Sequence, residues 1–247
     1  MLEGRVAVIT GASGQIGAQV ARSFAHSGAS LVLADVHPRI DQMPANAIYR
    51  QTDVTNARAV ADLMQTAERE LGRLDILVNV AGVLSLGSAA ALAEDEWDRV
   101  LDINLKGTFL CCQSAIRVMQ KNRYGRIINL GSIVGKNGGN ARPWLDRAEQ
   151  TKAANVAYGV SKAGVHIMTV FLAREVAADN ITVNAVAPGP IASSMTTDFP
   201  EALRTLIPVG RMGQATDVAN ACLFLASEQS SFITGEILDV NGGMWGD

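Results

Sequence analysis

Cysteine is scarce. The 247 residues carry three, Cys111, Cys112 and Cys222. Two are adjacent, so no disulfide framework is available, and a reducing compartment is expected. Histidine is as rare, and His26, His37 and His166 are scattered. No His/Cys group has zinc spacing, so no metal site is expected, and each histidine reads as a solvated or core residue. No uninterrupted apolar run is long enough to span a bilayer, which argues against a membrane role. The first five residues lead straight into a strand-like segment, leaving no room for a signal peptide and pointing to the cytoplasm. No excess of one charge sign is present. The net charge of −3 arises from 21 basic and 24 acidic side chains, which gives no reason to expect nucleic acid as a partner. There is no linker, low-complexity run or repeat, so residues 1–247 read as one domain.

What remains is an apolar chain, 48% hydrophobic, with glycine-punctuated segments. Arg5 to Thr10 is an apolar run that ends at Gly11, as expected of a strand buried on both faces. Gly11, Gly14 and Gly17 follow, and then a helical pattern carried by Ile16, Val20, Ala21, Phe24 and Ala25. Strand, glycine turn and helix form the context for a pyrophosphate at a helix N-terminus. Ser30 to Asp35 is a second buried strand with an acid at its end. Such an aspartate, about 20 residues past the turn, can accept hydrogen bonds from an adenosine ribose and would repel a 2′-phosphate. NAD is therefore favoured over NADP.

Further strands are expected at Ala47–Thr52, Leu74–Asn79, Arg126–Leu130, Ile181–Val186 and Glu236–Val240. Helices are expected at Asn56–Leu71, capped by Thr55, and at Glu94–Asn104, Lys106–Lys121 (with a bend near Gly107), Asn155–Ala178 and Ala215–Ala226. This alternation predicts an α/β fold of the doubly wound Rossmann type, a mostly parallel seven-stranded sheet with helices on both faces.

Within Asn155–Ala178, Tyr158 and Lys162 stand four residues apart, one turn apart on one helical face. A cation beside a phenol favours the phenolate and makes it a proton-transfer group. Alone, the pair reads as an ordinary surface pair.

In order, Thr10-Gly11…Gly17, Asp53-Val54, Asn79-Val80-Ala81-Gly82, Asn104, Ser132, Tyr158…Lys162, Pro188-Gly189 and the tail Asn241-Gly242-Gly243 resemble the short-chain dehydrogenase/reductase family over nearly the whole chain. The resemblance implies roles. Tyr158 would be the acid/base, and Lys162 would lower its pKa and hold the nicotinamide ribose. Ser132 would bond the substrate oxygen, and Asn104 would hold a relay water. Gly11, Ser13, Gln15, Ile16 and Gly17 would carry the pyrophosphate, Asp35 the ribose, and Asp53 and Val54 the adenine. Asn79, Ala81 and Gly82 would support the middle of the cofactor. Pro188, Gly189, Ile191 and Ser193 would border the nicotinamide.

The implied activity is NAD-dependent interconversion of a secondary alcohol and its ketone. The alternatives are reduction of a 3-oxoacyl thioester on an acyl carrier protein, and a non-catalytic binding protein of the same fold. Helices with Phe109, Leu110, Ile116 and Met119, and with Val165, Met168 and Phe171, suggest a homo-oligomer, a tetramer or dimer.

Three departures from the family pattern stand out. Gln15 occupies the usual place of the middle glycine. Val80 replaces a second asparagine. Twenty-five residues separate Ser132 from Tyr158, about twice the usual number. That segment, Asn137 to Asn155, is expected beside the substrate pocket, with Arg142 and Trp144 as wall or lid.

Overall fold

The computed structural model describes residues 1–40, 43–139, 155–193 and 204–246. Seven strands form its sheet: β1 (Val6–Thr10), β2 (Ser30–Asp35), β3 (Ala47–Gln51), β4 (Ile76–Asn79), β5 (Gly125–Leu130), β6 (Ile181–Pro188) and β7 (Ile237–Val240). Their spatial order is β3-β2-β1-β4-β5-β6-β7, and every pairing is parallel. The apolar runs are continuous rather than alternating because β1, β4, β5 and β6 are covered on both faces and buried throughout.

Two cores flank the sheet. On one face, Val8, Val32, Leu77 and Ile127 pack against α2 (Ala57–Leu71) and α4 (Thr108–Asn122), and the far end of α6 (Val156–Val176), the helix after the short α5 (Val134–Asn137), joins them at Ala173 and Val176. On the other, Ala7, Ile9, Leu33, Val78 and Ile128 pack against α1 (Gln15–His26) and α7 (Ala215–Ala226).

The strand order reverses between β1 and β4, which opens a crevice at their C-terminal ends, where ligands of open α/β sheets bind. The register brings Thr10 level with Asn79 and Ala34, and Asn79 level with Asn129. The functional candidates therefore emerge along one sheet edge.

Three local expectations change. Asn56, not Thr55, caps α2: its side chain accepts the N–H groups of Arg58 and Ala59, while the Thr55 hydroxyl and N–H are taken by Asp53. The expected bend near Gly107 is a π-helical segment, Asp102–Gly107, that joins α3 (Glu94–Leu101) to α4 without a break. The apolar helices are partly core: Ile116, Met119 and Val165 are buried against the sheet, whereas Phe109, Ile167 and Phe171 are exposed. The α6 region, Val156–Asp179, is long and apolar enough by composition to cross a membrane. In this fold it lies against β6, and its buried face includes Lys162 and His166.

Candidate active site

Gly11 leaves β1 with φ +65°, and a Cβ there would come within 2.6 Å of the Ala81 backbone nitrogen. Only glycine allows the loops after β1 and β4 to touch in this way. The Thr10 hydroxyl joins the same loops by accepting the N–H groups of Val80 and Ala81 at 3.2 and 3.3 Å. Gly17, in the first turn of α1, lies over the Gly11 carbonyl, where a Cβ would be 2.2 Å away. The turn is thus folded tightly on itself, with the N-terminus of α1 open to an anion.

Gln15 has a contact that the glycine usual at its place could not make. Its amide donates to the Ala192 carbonyl at 2.8 Å, tying the turn to the loop after β6. β6 ends at Pro188, and the loop carries Gly189, Ile191 and Ser193. Gly189 passes close enough to Asn241 that a Cβ would meet it at 2.8 Å.

Asp35 ends β2 beside the turn. One carboxylate oxygen accepts the Ser13 N–H at 2.9 Å, and the other accepts the His37 N–H at 3.1 Å and lies 2.7 Å from the His37 ring. Burial alone would raise its pKa, but the bonds from Ser13 and His37 outweigh that and hold the carboxyl below its ordinary value. Asp53 is exposed and Val54 is buried beneath it, against Gly107.

The Asn79 side-chain amide donates to Asn129 at 2.9 Å, and Asn129 donates to Thr169 at 2.9 Å. The Asn79 carbonyl oxygen is buried without a partner among the described residues. Val80 adds no polar group to this network. Asn104 sits fully buried in the π segment. Its carbonyl oxygen takes the Val83 N–H at 2.7 Å, and its amide donates to the Val83 carbonyl at 2.9 Å and the Ser161 hydroxyl at 3.0 Å. Gly82 passes between Asn104 and Lys162, so close that a Cβ there would be 3.2 Å from one and 3.6 Å from the other.

Ser132 follows β5, and Tyr158 sits in the first turn of α6, where the helix dipole favours an anion. Burial of the phenol raises the Tyr158 pKa, and it outweighs the lowering effect of the nearby Ser132 hydroxyl. Lys162 is buried and donates to the Leu130 carbonyl at 2.6 Å. Burial pushes its pKa down to about 8. Its Nζ is 5.8 Å from the centre of the Tyr158 ring.

The structure therefore brings together Ser132, Tyr158, Lys162, Asn104 and the glycine turn. Arg142 and Trp144, with most of the segment between Asn137 and Asn155, lie outside the described residues. Sequence reasoning missed the Gln15 bridge, the Ser161 contact of Asn104 and the place of His166 behind Ser132. The recurrence of Tyr158, Lys162 and His166 every four residues was the available signal for the last.

A family model described as enoyl-(acyl carrier protein) reductase matches residues 11–245. The chain is 39% identical to the (2S)-[(R)-hydroxy(phenyl)methyl]succinyl-CoA dehydrogenase subunit BbsD of Thauera aromatica, over 98% of this chain and 97% of that one. It is 41% identical to the 3-oxoacyl-[acyl-carrier-protein] reductase FabG of Rickettsia bellii, over 98% of each. Among solved structures, that of gox2181 matches with a TM-score of 0.89 at 32% identity, covering 98% of this chain and 96% of the other. With this fold, these matched residues and these relatives, the chain belongs to the short-chain dehydrogenase/reductase family of oxidoreductases, which act on CH–OH groups with a nicotinamide cofactor.

Proposed function

We propose that the protein is an NAD-dependent dehydrogenase that interconverts a secondary alcohol and its ketone, with Tyr158 as the acid/base. The observation that carries this reading is the placement of Tyr158 one helical turn before the buried Lys162, whose Nζ lies 5.8 Å from the centre of the Tyr158 ring. The crevice suits a dinucleotide: the turn leaves no room for a side chain at Gly11 or Gly17, and Asp35 stands ionised beside it. Gly11, Ser13, Gln15, Ile16 and Gly17 would hold the pyrophosphate, Asp35 the adenosine ribose, and Asp53 and Val54 the adenine. Asn79, Ala81, Gly82, Pro188, Gly189, Ile191 and Ser193 would hold the remainder. The nicotinamide supplies or accepts the hydride when bound.

In the reductive direction the Ser132 hydroxyl donates to the ketone oxygen, and Tyr158 gives up its proton to that oxygen as it gains charge. The phenolate left behind is favoured by the Lys162 cation and the N-terminal end of α6. Oxidation runs the same proton backward. The Asn104 side chain is committed to Val83 and Ser161, so a relay water would rest on its backbone carbonyl, which already accepts the Thr108 hydroxyl at 2.7 Å.

Asp35 supports NAD, because a buried carboxylate repels a 2′-phosphate. The relatives favour a narrower substrate class: their names describe alcohol or ketone chemistry on acyl groups carried by coenzyme A or acyl carrier protein. The test is a panel of 3-oxoacyl thioesters, 3-hydroxyacyl thioesters, enoyl thioesters, simple secondary alcohols and ketones, each followed with NADH or NAD and with the phosphorylated forms. Turnover faster with NAD(H), and abolished in Tyr158→Phe while NADH still binds, is the expected result. Equal turnover by Tyr158→Phe would end the proposal.

The exposed Phe109, Val160, Ile167 and Phe171 on α4 and α6 support a homo-oligomer. Light scattering at micromolar concentration should give a multiple of the 26.1 kDa chain mass.

A further inference from the structure

His166 lies one turn beyond Lys162 and two beyond Tyr158, on the same face of α6. It is buried, at 8% exposure. The Ser132 backbone N–H donates to its Nε2 at 3.3 Å. That contact requires an unprotonated Nε2, hence a neutral ring with its proton on Nδ1.

The sheet explains why Ser132 needs this acceptor. Gly131 and Ile133 direct their N–H groups to Val186 and Pro188, which continues the pairing with β6. The alternate N–H, that of Ser132, lies past the last β4–β5 pair, Asn79–Asn129. His166 takes the donor that the end of β4 leaves over. Two glycines make room for the ring. A Cβ at Gly131 would lie 2.0 Å from Nε2, and one at Gly135 would lie 3.0 Å from Cε1. A close-packed notch of this kind fixes the imidazole against Ser132.

Two bonds then orient Ser132. His166 takes its N–H, and its Oγ accepts the Val134 N–H at 3.2 Å. The hydroxyl has one proton, which is left for Tyr158 or the substrate oxygen.

We infer that His166 is a positioning residue for the reaction, holding the Ser132 backbone so that its hydroxyl meets the substrate oxygen beside Tyr158. The inference rests on the proposed alcohol–ketone chemistry, and it deepens that reading by one residue.

The test uses two variants of similar bulk. His166→Gln keeps an acceptor at the same reach, whereas His166→Leu removes it. Nitrogen NMR of the parent labelled with 15N-histidine, assigned by the signal lost in His166→Gln, should show the Nδ1–H tautomer at neutral pH. With acetoacetyl-CoA and NADH, or whichever panel substrate the parent turns over, His166→Leu should lower kcat by roughly tenfold, and His166→Gln should stay within about threefold. KM for NADH should be unchanged in both. An Nε2–H tautomer or an imidazolium would overturn the inference without any substrate. So would parental kcat in His166→Leu, or equal losses in the two variants. A parent that turned over no alcohol or ketone would sink the proposed function instead, and the tautomer would still decide the contact.

Discussion

Asn104 and Val83 are bonded in both directions: the side-chain carbonyl of Asn104 takes the Val83 N–H at 2.7 Å, and its amide returns to the Val83 carbonyl at 2.9 Å. A side chain has replaced a strand here. β4 ends at Asn79, and the chain beyond it must border the crevice with no neighbouring strand to pair with. The π segment turns Asn104 inward to supply the missing donor and acceptor.

Removing that clamp should show in both stability and shape. Asn104→Ala leaves the Val83 N–H and carbonyl and the Ser161 hydroxyl short of partners, which costs about 2–4 kcal/mol. For a chain of this size the melting temperature should fall by roughly 5–15 °C. Hydrogen exchange at Val83 should speed up more than exchange in the core of β5. An unchanged melt together with unchanged exchange at Val83 would show that the loop is held by something else.

The three glycines of the turn are not equivalent. A Cβ at Gly14 would lie 3.4 Å from the Gly11 carbonyl, and Gly14 has φ −70° and ψ 159°, which any residue can adopt. A Cβ at Gly17 would lie 2.2 Å from the same oxygen and within 3.0 Å of the Gly11 carbonyl carbon and the Ala12 Cα, backbone that cannot swing aside. Gly14→Ala should therefore melt within about 2 °C of the parent. Gly17→Ala should be destabilised by about 1–3 kcal/mol through overpacking. Thermal melts of the cofactor-free proteins decide it. If Gly14→Ala proved the worse of the two, the packing argument would fail.

Much of this arrangement was legible in the sequence. Runs such as Val6–Ile9 and Ile76–Val78 are apolar throughout, as expected of strands covered on both faces. Glycine at the end of β1 and aspartate at the end of β2 then mark the functional edge. The parts that stayed hidden are contacts between residues far apart in the chain. Gln15 reaches Ala192 across 177 positions, and no local pattern announces such a bond. His166 looks like any core histidine until Gly131 and Gly135 are seen to vacate the space for its ring. The spacing of Tyr158 and Lys162 correctly put them on one face. It could not show that Lys162 is drawn onto the Leu130 carbonyl, nor that burial dominates the phenol.

That burial makes Lys162 a source of pH-dependent stability. Its pKa falls from 10.5 to about 8 on folding because burial disfavours the ammonium. The unfolded chain thus binds the proton more tightly than the folded one. Between pH 8 and pH 10.5 the unfolded lysine is still protonated while the folded one is losing its proton, so this group makes stability rise with pH across that window. Below pH 8 both states are protonated, and its unfavourable contribution is full and constant. Other groups obscure the effect in the parent alone, since burial raises the thiols of Cys112 and Cys222 to about 12 and makes stability fall above their unfolded pKa of 9.0. Comparison with Lys162→Met cancels those groups. The difference in unfolding free energy between parent and variant, from urea melts, should move in favour of the parent by about 3 kcal/mol from pH 8 to pH 10.5 and stay flat from pH 6 to pH 7.5. A difference that is flat through the alkaline window would mean that Lys162 keeps its ordinary pKa in the folded chain. The buried ammonium under Tyr158 would then carry no such penalty.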